Sequence, residues 1–260
     1  SKMGNYFCPG FPSAANRVIN AVSDLRTTTY SHDRVIIVEA MGRDAGWLTL
    51  SAAYGLADLI VVPEVPYQPD RLASAIHKKY TEQGNVIVVV SEGIRNDAGE
   101  LMITSQAELD AFGHTKPGGC SEIIVEAMKK RLPQISSSSF RALILGYMQR
   151  CGSPTQLDRD TAINAGALAV RSLADGMVNG VATITRTDVG IEPIMLPIEQ
   201  VLKRDETGHV IRRDIDPRFY DAENYHLSPS GAGYFRPLFG NLHRRRRTLE
   251  ERGIKIGEIE

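Results

Sequence analysis

The sequence predicts an α/β protein in which a mainly parallel, doubly wound sheet is sandwiched by helices and followed by an irregular C-terminal tail. Short runs rich in Val and Ile recur along the chain. Their length and their continuous apolar character are typical of strands that are buried on both faces. Between them lie segments whose apolar residues repeat every three to four positions, as on one face of a helix. Because strand and helix alternate, we expect ligands to bind at the carboxyl ends of the strands.

The predicted strands are apolar runs of four or five residues, and the predicted helices fill the segments between them. The first helix is the clearest, because Val18, Val22 and Leu25 fall on one side of it. The runs predicted as strands are 35–38, 59–62, 86–90, 142–145 and 181–184. The segments predicted as helices are 13–26, 45–56, 70–83, 121–131 and 158–173.

The alternation weakens near the C-terminus, which suggests a division of the chain. Residues 1–191 are predicted to form the α/β portion, and residues 192–260 a segment that wraps the sheet without extending it. From residue 216 onward, aromatic residues and prolines mix with the basic run 243–247.

The composition excludes several classes of protein. With 260 residues, 42% hydrophobic and 23% charged, the chain is neither disordered nor a small disulfide scaffold. A net charge of -1 gives no overall field toward nucleic acid or a membrane, so neither is predicted as a partner. Apolar runs stay far below the roughly 18 residues that span a bilayer. The three cysteines form no metal-binding pattern, and a reducing cytoplasm is the predicted location.

Polar residues with a common chemistry follow three of the predicted strands. Met41, Gly42 and Arg43 follow the first, Glu92 follows the third, and Tyr147 and Arg150 follow the fourth. A glycine lets the backbone approach a ligand, and an arginine at a helix start adds a bidentate donor to free N–H groups. Arginines can bind a phosphate group, and a carboxylate and a phenol can bind hydroxyl groups. This set of side chains therefore suits a phosphorylated polyol. Taken singly, each motif is explained at least as well by a turn or by a loop charge in water.

Taken together, these motifs resemble those of the 6-phosphofructokinases, over residues from about 9 to at least 184. The resemblance rests on Met41-Gly42-Arg43, on Glu92 and on the segment 145–154 with Asp158-Arg159 after it. It implies that Met41, Gly42, Arg43, Glu92, Tyr147 and Arg150 hold fructose 6-phosphate. Tyr147 stands where many members have His, and Cys151 where many have Gly.

The resemblance also implies a reaction and a shared site. The reaction is phosphoryl transfer to the 1-hydroxyl of fructose 6-phosphate, giving fructose 1,6-bisphosphate in glycolysis, with Arg43 as a catalytic residue facing the charge on the transferred group. Mg²⁺ would be carried on the donor phosphates, with no metal site on this chain. Arg34 and Arg141, each nine residues before a site arginine, resemble residues that reach the sugar phosphate of a neighbouring subunit, so a homo-oligomer is expected.

The phosphoryl donor is either diphosphate or ATP. The segment 8–16, the Gly-Tyr-x-Gln-Arg-Cys form and residues 234–238 favour diphosphate. Members of the family carry a Gly-rich donor loop and a Thr-Ile-Asp-Asn-Asp segment, with the general base, upstream of the helix that starts here near Ser13. Only residues 1–12 stand there, so the chain is expected to be the sugar-phosphate portion of such an enzyme. A catalytically silent sugar-phosphate-binding or regulatory subunit is the alternative.

Other features favour structural roles. Pro117-Gly118-Gly119 is predicted to be a plain helix start rather than a phosphate cradle. Asp158 is predicted to cap its own helix rather than to bind a metal together with Asp160 and His32 or His114. Trp47 and Tyr54 are predicted to pack. The arginines 244–247 are expected to form a solvated surface, with polyanion binding as the less favoured reading.

Overall fold

A computed structural model describes residues 5–102, 119–202, 204, 206–208 and 213–242. Helices and strands alternate through most of this range, as the sequence predicts. The helices are α1 (Phe11–His32), α2 (Trp47–Ser51), α3 (Pro69–Gln83), α4 (Cys120–Arg131), α5 (Gln156–Ala174), α6 (Ile198–Val201) and α7 (Pro229–Phe239). The strands are β1 (Val35–Ala40), β2 (Leu59–Val61), β3 (Val86–Ser91), β4 (Phe140–Ile144), β5 (Gly180–Arg186), β6 (Ile191–Pro197), β7 (Tyr220–Asp221) and β8 (His226–Leu227).

Four strands form a parallel sheet in the order β2-β3-β1-β4. The register pairs Ala40 of β1 with Ser91 of β3, and Glu39 of β1 with Ile144 of β4. The residues that follow β1, β3 and β4 therefore emerge side by side at one edge of the sheet. This edge is where the sequence analysis expects a ligand.

Helices cover both faces of the sheet, which confirms the predicted fold class. On β1, Val35 and Ile37 pack into the core cluster that includes residues of α3 and α4. The alternate residues Ile36 and Val38 pack into the opposite cluster, with residues of α1, α2 and α7. Because side chains alternate along a strand, an all-apolar strand satisfies both layers of helices.

A buried ion pair joins α1 to the loop that precedes β2. The Arg26 guanidinium donates to Asp58 Oδ2 over 2.7 Å and to Asn85 Oδ1 over 3.1 Å, and it also donates to the Leu56 carbonyl. The side chain of Arg26 is only 4% exposed. The Asp58 carboxylate also accepts from the backbone N–H of Ile87. This pair therefore connects the first helix to two strands of the sheet.

Two predicted strands differ from their expected surroundings. The run 181–184 lies in β5, which pairs antiparallel with β6 in a separate two-stranded sheet rather than joining the parallel sheet. The connection is a tight turn in which the Thr187 N–H donates to the Gly190 carbonyl, and so short a connection can join only antiparallel strands. The run 142–145, predicted as buried on both faces, lies in β4 up to residue 144. In this strand only Phe140 is buried, and Ile144 is 47% exposed. Within the described residues β4 pairs with β1 alone, and as the edge strand it stays open to solvent.

Some helices have other bounds than the sequence predicts. Helix α1 continues six residues beyond 26, to His32, whereas the segment 45–56 contains only the short α2 and the 3₁₀ turn Ala52–Gly55. The turn ends at Gly55, which packs closely against α1. A Cβ at this position would lie 2.5 Å from the Ile19 carbonyl oxygen.

Residues 213–242, which belong to the C-terminal segment, pack against the sheet. The Tyr220 hydroxyl donates to the Ile60 carbonyl over 2.6 Å, and the Ile60 N–H donates to the Tyr225 carbonyl over the same distance. Trp47 packs against the rings of Phe219, Tyr234 and Phe235, and Tyr54 packs against Phe239, so their predicted packing role is confirmed. The proposed division after residue 191 stays a prediction. No helix in the described part of the chain is long and apolar enough to cross a membrane.

Candidate functional site

The carboxyl ends of β1, β3 and β4 bring together the residues that the sequence singled out. The Glu92 N–H donates to the Ala40 carbonyl over 3.0 Å, and the Leu145 N–H donates to the Glu39 carbonyl over 3.1 Å, so the sheet ladder continues into the loops. Met41, Glu92 and Gly146 therefore start their loops next to each other. Arg43 and Arg150 follow within a few residues.

The loop after β1 has a constrained shape. Arg43 has a φ of 47°, a left-handed conformation that is uncommon for a residue with a side chain. The Ala45 N–H donates to the Gly42 carbonyl over 3.1 Å and closes a turn. The carbonyl of Arg43 lies so close to Gly93 that a Cβ there would be 1.6 Å from the oxygen. Gly93 is therefore required by the close approach of the two loops, and the conformation of Arg43 is fixed by its neighbours.

Glu92 holds this loop. Its side chain is buried, and Oε1 accepts from the N–H groups of both Gly42 and Arg43 over 3.0 Å. The sequence analysis expected free N–H groups beside Arg43 at a helix start. That expectation is wrong, because Glu92 accepts from these groups and because α2 begins only at Trp47.

Gln149 holds the same loop from the other side. Its Oε1 accepts from the Met41 N–H over 2.8 Å, and its Nε2 donates to the Met41 carbonyl over 3.2 Å. Gln149 lies within the motif that follows β4, and the sequence indicates no role for it. The motif itself was the only available signal, because nothing in the sequence shows which way a side chain of this short turn points.

Tyr147 and Arg150 lie on the exposed side of the same turn, Gly146–Arg150. Arg150 Cζ is 4.7 Å from the centroid of the Tyr147 ring, a cation–π contact. The turn starts at Gly146 with a φ of 50°. Arg17 of α1, which lies in none of the sequence motifs, is next to the loop that follows this turn. It lies against Gly152, where a Cβ would be 2.1 Å from its Nη2.

Arg34 and Arg141 lie at the opposite end of the sheet. Arg34 directly precedes β1, and Arg141 pairs in register with Ile36 near the start of that strand. Arg141 is exposed and donates to the carbonyls of Ser138 and Phe140 over 2.6 and 2.8 Å. The structure therefore does not bring this pair together with Arg43 and Arg150 within one chain.

A buried carboxylate, Glu39 of β1, caps helix α4. It accepts from the Gly119 N–H and from both the N–H and the hydroxyl of Ser121, over 3.0 to 3.1 Å. Burial first, and then the Glu39 carboxylate, raise the pKa of the Cys120 thiol well above its usual range. Residue 118 lies outside the described part, but Gly119 is the N-cap of α4, so the predicted helix start is confirmed.

Asp158 caps a helix, although not its own. Thr155 caps α5, and the Asp158 carboxylate instead accepts from the N–H groups of Gly10 and Ser13 over 2.7 Å, at the start of α1. The predicted cap on its own helix is therefore wrong, because at the third position of α5 this carboxylate faces the neighbouring helix.

Among the described residues, no three His, Cys, Asp or Glu side chains form a cluster that could hold a metal ion. His114 and the arginines 244–247 lie outside the described residues.

Comparison with known proteins relates this arrangement to one family. A family model described as phosphofructokinase matches residues 3–173. A pyrophosphate–fructose 6-phosphate 1-phosphotransferase of Amycolatopsis mediterranei is 36% identical over 181 residues, which are 69% of this chain and 52% of that protein. An ATP-dependent 6-phosphofructokinase of Chloroflexus aggregans is 32% identical over 188 residues, which are 71% of this chain and 49% of that protein.

Solved structures agree on the fold. A pyrophosphate-dependent phosphofructokinase from Marinobacter aquaeolei aligns with a TM-score of 0.74 at 17% identity, over 94% of this chain and 58% of that one. The chain spans about half the length of the curated relatives it matches. The family model covers well over half of the 260 residues and includes all the strand ends described above. The chain therefore belongs to the phosphofructokinase family.

Proposed function

We propose that the carboxyl edge of the sheet binds fructose 6-phosphate through Met41, Gly42, Arg43, Glu92, Tyr147 and Arg150. The observation that carries this proposal is that adjacent strand ends deliver two arginines, a carboxylate and a phenol to one edge. Arginines suit the phosphate, because a guanidinium offers paired donors to its oxygens. The Tyr147 hydroxyl and Glu92 Oε2 suit the sugar hydroxyls, since Glu92 Oε1 already accepts from two backbone N–H groups.

The reaction we propose is transfer of a phosphoryl group to the 1-hydroxyl of the bound sugar. The hydroxyl oxygen forms a bond to the terminal phosphorus of the donor, the bridging P–O bond breaks, and the hydroxyl proton passes to a base. Arg43 would stabilise the charge on the transferred group, since phosphoryl transfer depends on positioning and positive charge. We assign the base to no residue of this chain.

We propose diphosphate as the donor. Relatives named for diphosphate and for ATP both match the chain, and the diphosphate type includes the Amycolatopsis protein. Mg²⁺ would travel on the donor phosphates, where it neutralises charge.

The working protein we propose is a cytoplasmic homo-oligomer with shared sites. Arg34 and Arg141 lie at the opposite end of β1 from Arg43, about 20 Å away for a strand of this length. A two-fold interface would pair the strand-start arginines of one subunit with the strand-end arginines of another.

Calorimetric titration of the chain with fructose 6-phosphate tests the site. Fructose and inorganic phosphate serve as controls, because each contains only one of the two parts of the ligand, the sugar or the phosphate, that the site is expected to contact. We expect fructose 6-phosphate to bind more tightly than either control, and equal weak binding of all three would contradict the proposal. A coupled assay with diphosphate and with ATP then separates an enzyme from a silent binding subunit, which would bind the sugar phosphate without turnover.

A further inference from the structure

One side chain in the candidate site is buried although its neighbours in sequence are exposed. In the turn Gly146–Arg150, Tyr147 is 76% exposed and Met148 is 69% exposed, whereas Gln149 is 2% exposed. A glutamine side chain is rarely buried, and burial is costly unless its amide is hydrogen-bonded. The amide of Gln149 must therefore have partners inside the protein.

Both partners of the Gln149 amide belong to one residue of another loop. Oε1 accepts from the Met41 N–H over 2.8 Å, while Nε2 donates to the Met41 carbonyl over 3.2 Å. Met41 is the first residue beyond β1, where the backbone leaves the sheet. The side-chain amide thus pairs with the backbone of Met41 as a neighbouring strand would.

This pairing connects the loops that carry the two site arginines. Met41 lies two residues before Arg43, and Gln149 directly precedes Arg150. Glu92 orients the other end of the first loop through Gly42 and Arg43, so three consecutive N–H groups are bonded to two buried side chains. A substitution of Gln149 that removes these hydrogen bonds would let the backbone of Met41 move. The distance between Arg43 and Arg150 would then vary.

We propose that Gln149 is a positioning residue that fixes the separation of Arg43 and Arg150, so that both contact one bound fructose 6-phosphate. This inference rests on the proposed function of the site. Gln149 itself is buried behind the turn and acts through Met41, not by contact with the sugar phosphate. Its contribution is preorganisation, because two arginines held at a fixed separation lose less freedom when they bind the same ligand.

Two substitutions separate the parts of the pairing. Gln149→Met keeps the volume and removes both hydrogen bonds, while Gln149→Glu keeps an acceptor for the Met41 N–H and loses the donor. Hydrogen exchange at the Met41 amide measures the pairing without any ligand. We expect exchange to be faster by on the order of tenfold in Gln149→Met than in the unchanged protein, with Gln149→Glu in between. Equal exchange in all three proteins would overturn the pairing.

A double-mutant cycle tests positioning against mere stability. We expect Gln149→Met to raise the dissociation constant of fructose 6-phosphate by on the order of tenfold. Adding Arg43→Ala should then cost a smaller factor than it does in the unchanged protein, because the two arginines no longer act together. Additive effects would show that Gln149 only stabilises the fold. The Gln149→Glu variant serves for the same cycle if Gln149→Met does not fold.

The unchanged protein serves as the reference for the proposed function. If it does not bind fructose 6-phosphate at all, the proposed function fails, and the positioning role fails with it. If it binds and the cycle is additive, only the role of Gln149 fails. Tight binding with a non-additive cycle supports both.

Discussion

Arg150 lies over the ring of Tyr147, with Cζ 4.7 Å from the ring centroid, on the exposed side of the turn that follows β4. The ring restricts where the guanidinium can point. Tyr147 can therefore contribute to a phosphate site in two ways, through its hydroxyl and through its support of Arg150.

Replacing either site arginine by alanine should weaken fructose 6-phosphate binding. For Arg150→Ala or Arg43→Ala we expect a loss on the order of 2 to 4 kcal/mol of binding free energy, because the phosphate loses a bidentate partner. Isothermal titration of each variant measures the loss. Arg218→Ala is the control, since this arginine is exposed and pairs with Asp216 in the C-terminal segment. Unchanged affinity in both site variants would remove the site assignment.

Two substitutions of Tyr147 separate its hydroxyl from its ring. Tyr147→Phe keeps the ring beneath Arg150, so we expect it to weaken binding by about 1 kcal/mol through the lost hydrogen bond. Tyr147→Ala should weaken binding further, because Arg150 also loses its support. The same titration measures both variants. Equal losses in the two would contradict the support of Arg150 by the ring.

Mixed oligomers test whether sites are shared between subunits. When Arg141→Ala and Arg150→Ala proteins are mixed and reassembled, each hybrid dimer should contain one site with neither substitution. Random pairing then predicts normal affinity in about one quarter of all sites. Counting tight sites by titration gives this fraction.

A second mixture is the control for that experiment. Arg43→Ala and Arg150→Ala alter the same end of the sheet, so their hybrids should contain no restored site. Hybrids of Arg141→Ala and Arg150→Ala that restore no site, or an enzyme fully competent as a monomer, would contradict the shared site.

Removing Asp58 should destabilise the fold. Asp58→Ala leaves the Arg26 guanidinium buried without its carboxylate, and we expect a loss of about 3 to 5 kcal/mol in the free energy of unfolding. Urea denaturation measures this loss. Asp70→Ala is the matched control, because Asp70 pairs with Arg131 on the surface and its side chain is 91% exposed. That change should cost less than about 1 kcal/mol, and equal losses in both variants would contradict the role of burial.

The sequence predicts the parallel sheet well, because its central strands are continuous apolar runs. Every residue of β1 and β3 is buried. Strands buried on both faces contain consecutive apolar residues, which differ from the three-to-four-residue spacing of apolar positions in the helical segments. The pairing of β5 is not predicted, since it depends on the turn at Thr187 and on β6, whose Glu192 and Pro193 interrupt the apolar pattern. The exposure of β4 is not predicted either, because an apolar run carries no information on what covers it.

For the candidate site, the sequence predicts which loops meet and not how they are held. Arg43, Glu92 and Arg150 follow strands that become neighbours, and parallel strands end at a common edge. That Glu92 accepts from the loop of Arg43, and that Gln149 pairs with Met41, depends on the rotation of short turns. Such turns have no sequence period from which the direction of a side chain could be predicted.

The Asp158 cap on α1 has a consequence for how the chain folds. Its bonds to Gly10 and Ser13 join residues 148 and 145 positions apart, and the Tyr6 hydroxyl bonds to the carbonyl of Tyr234, 228 positions away. Contacts of such long range form only after the intervening chain has collapsed, since closing a long loop costs entropy that local contacts do not repay. The start of α1 should therefore be among the last parts of the molecule to become ordered during refolding, although it lies near the N-terminus and belongs to the longest helix described.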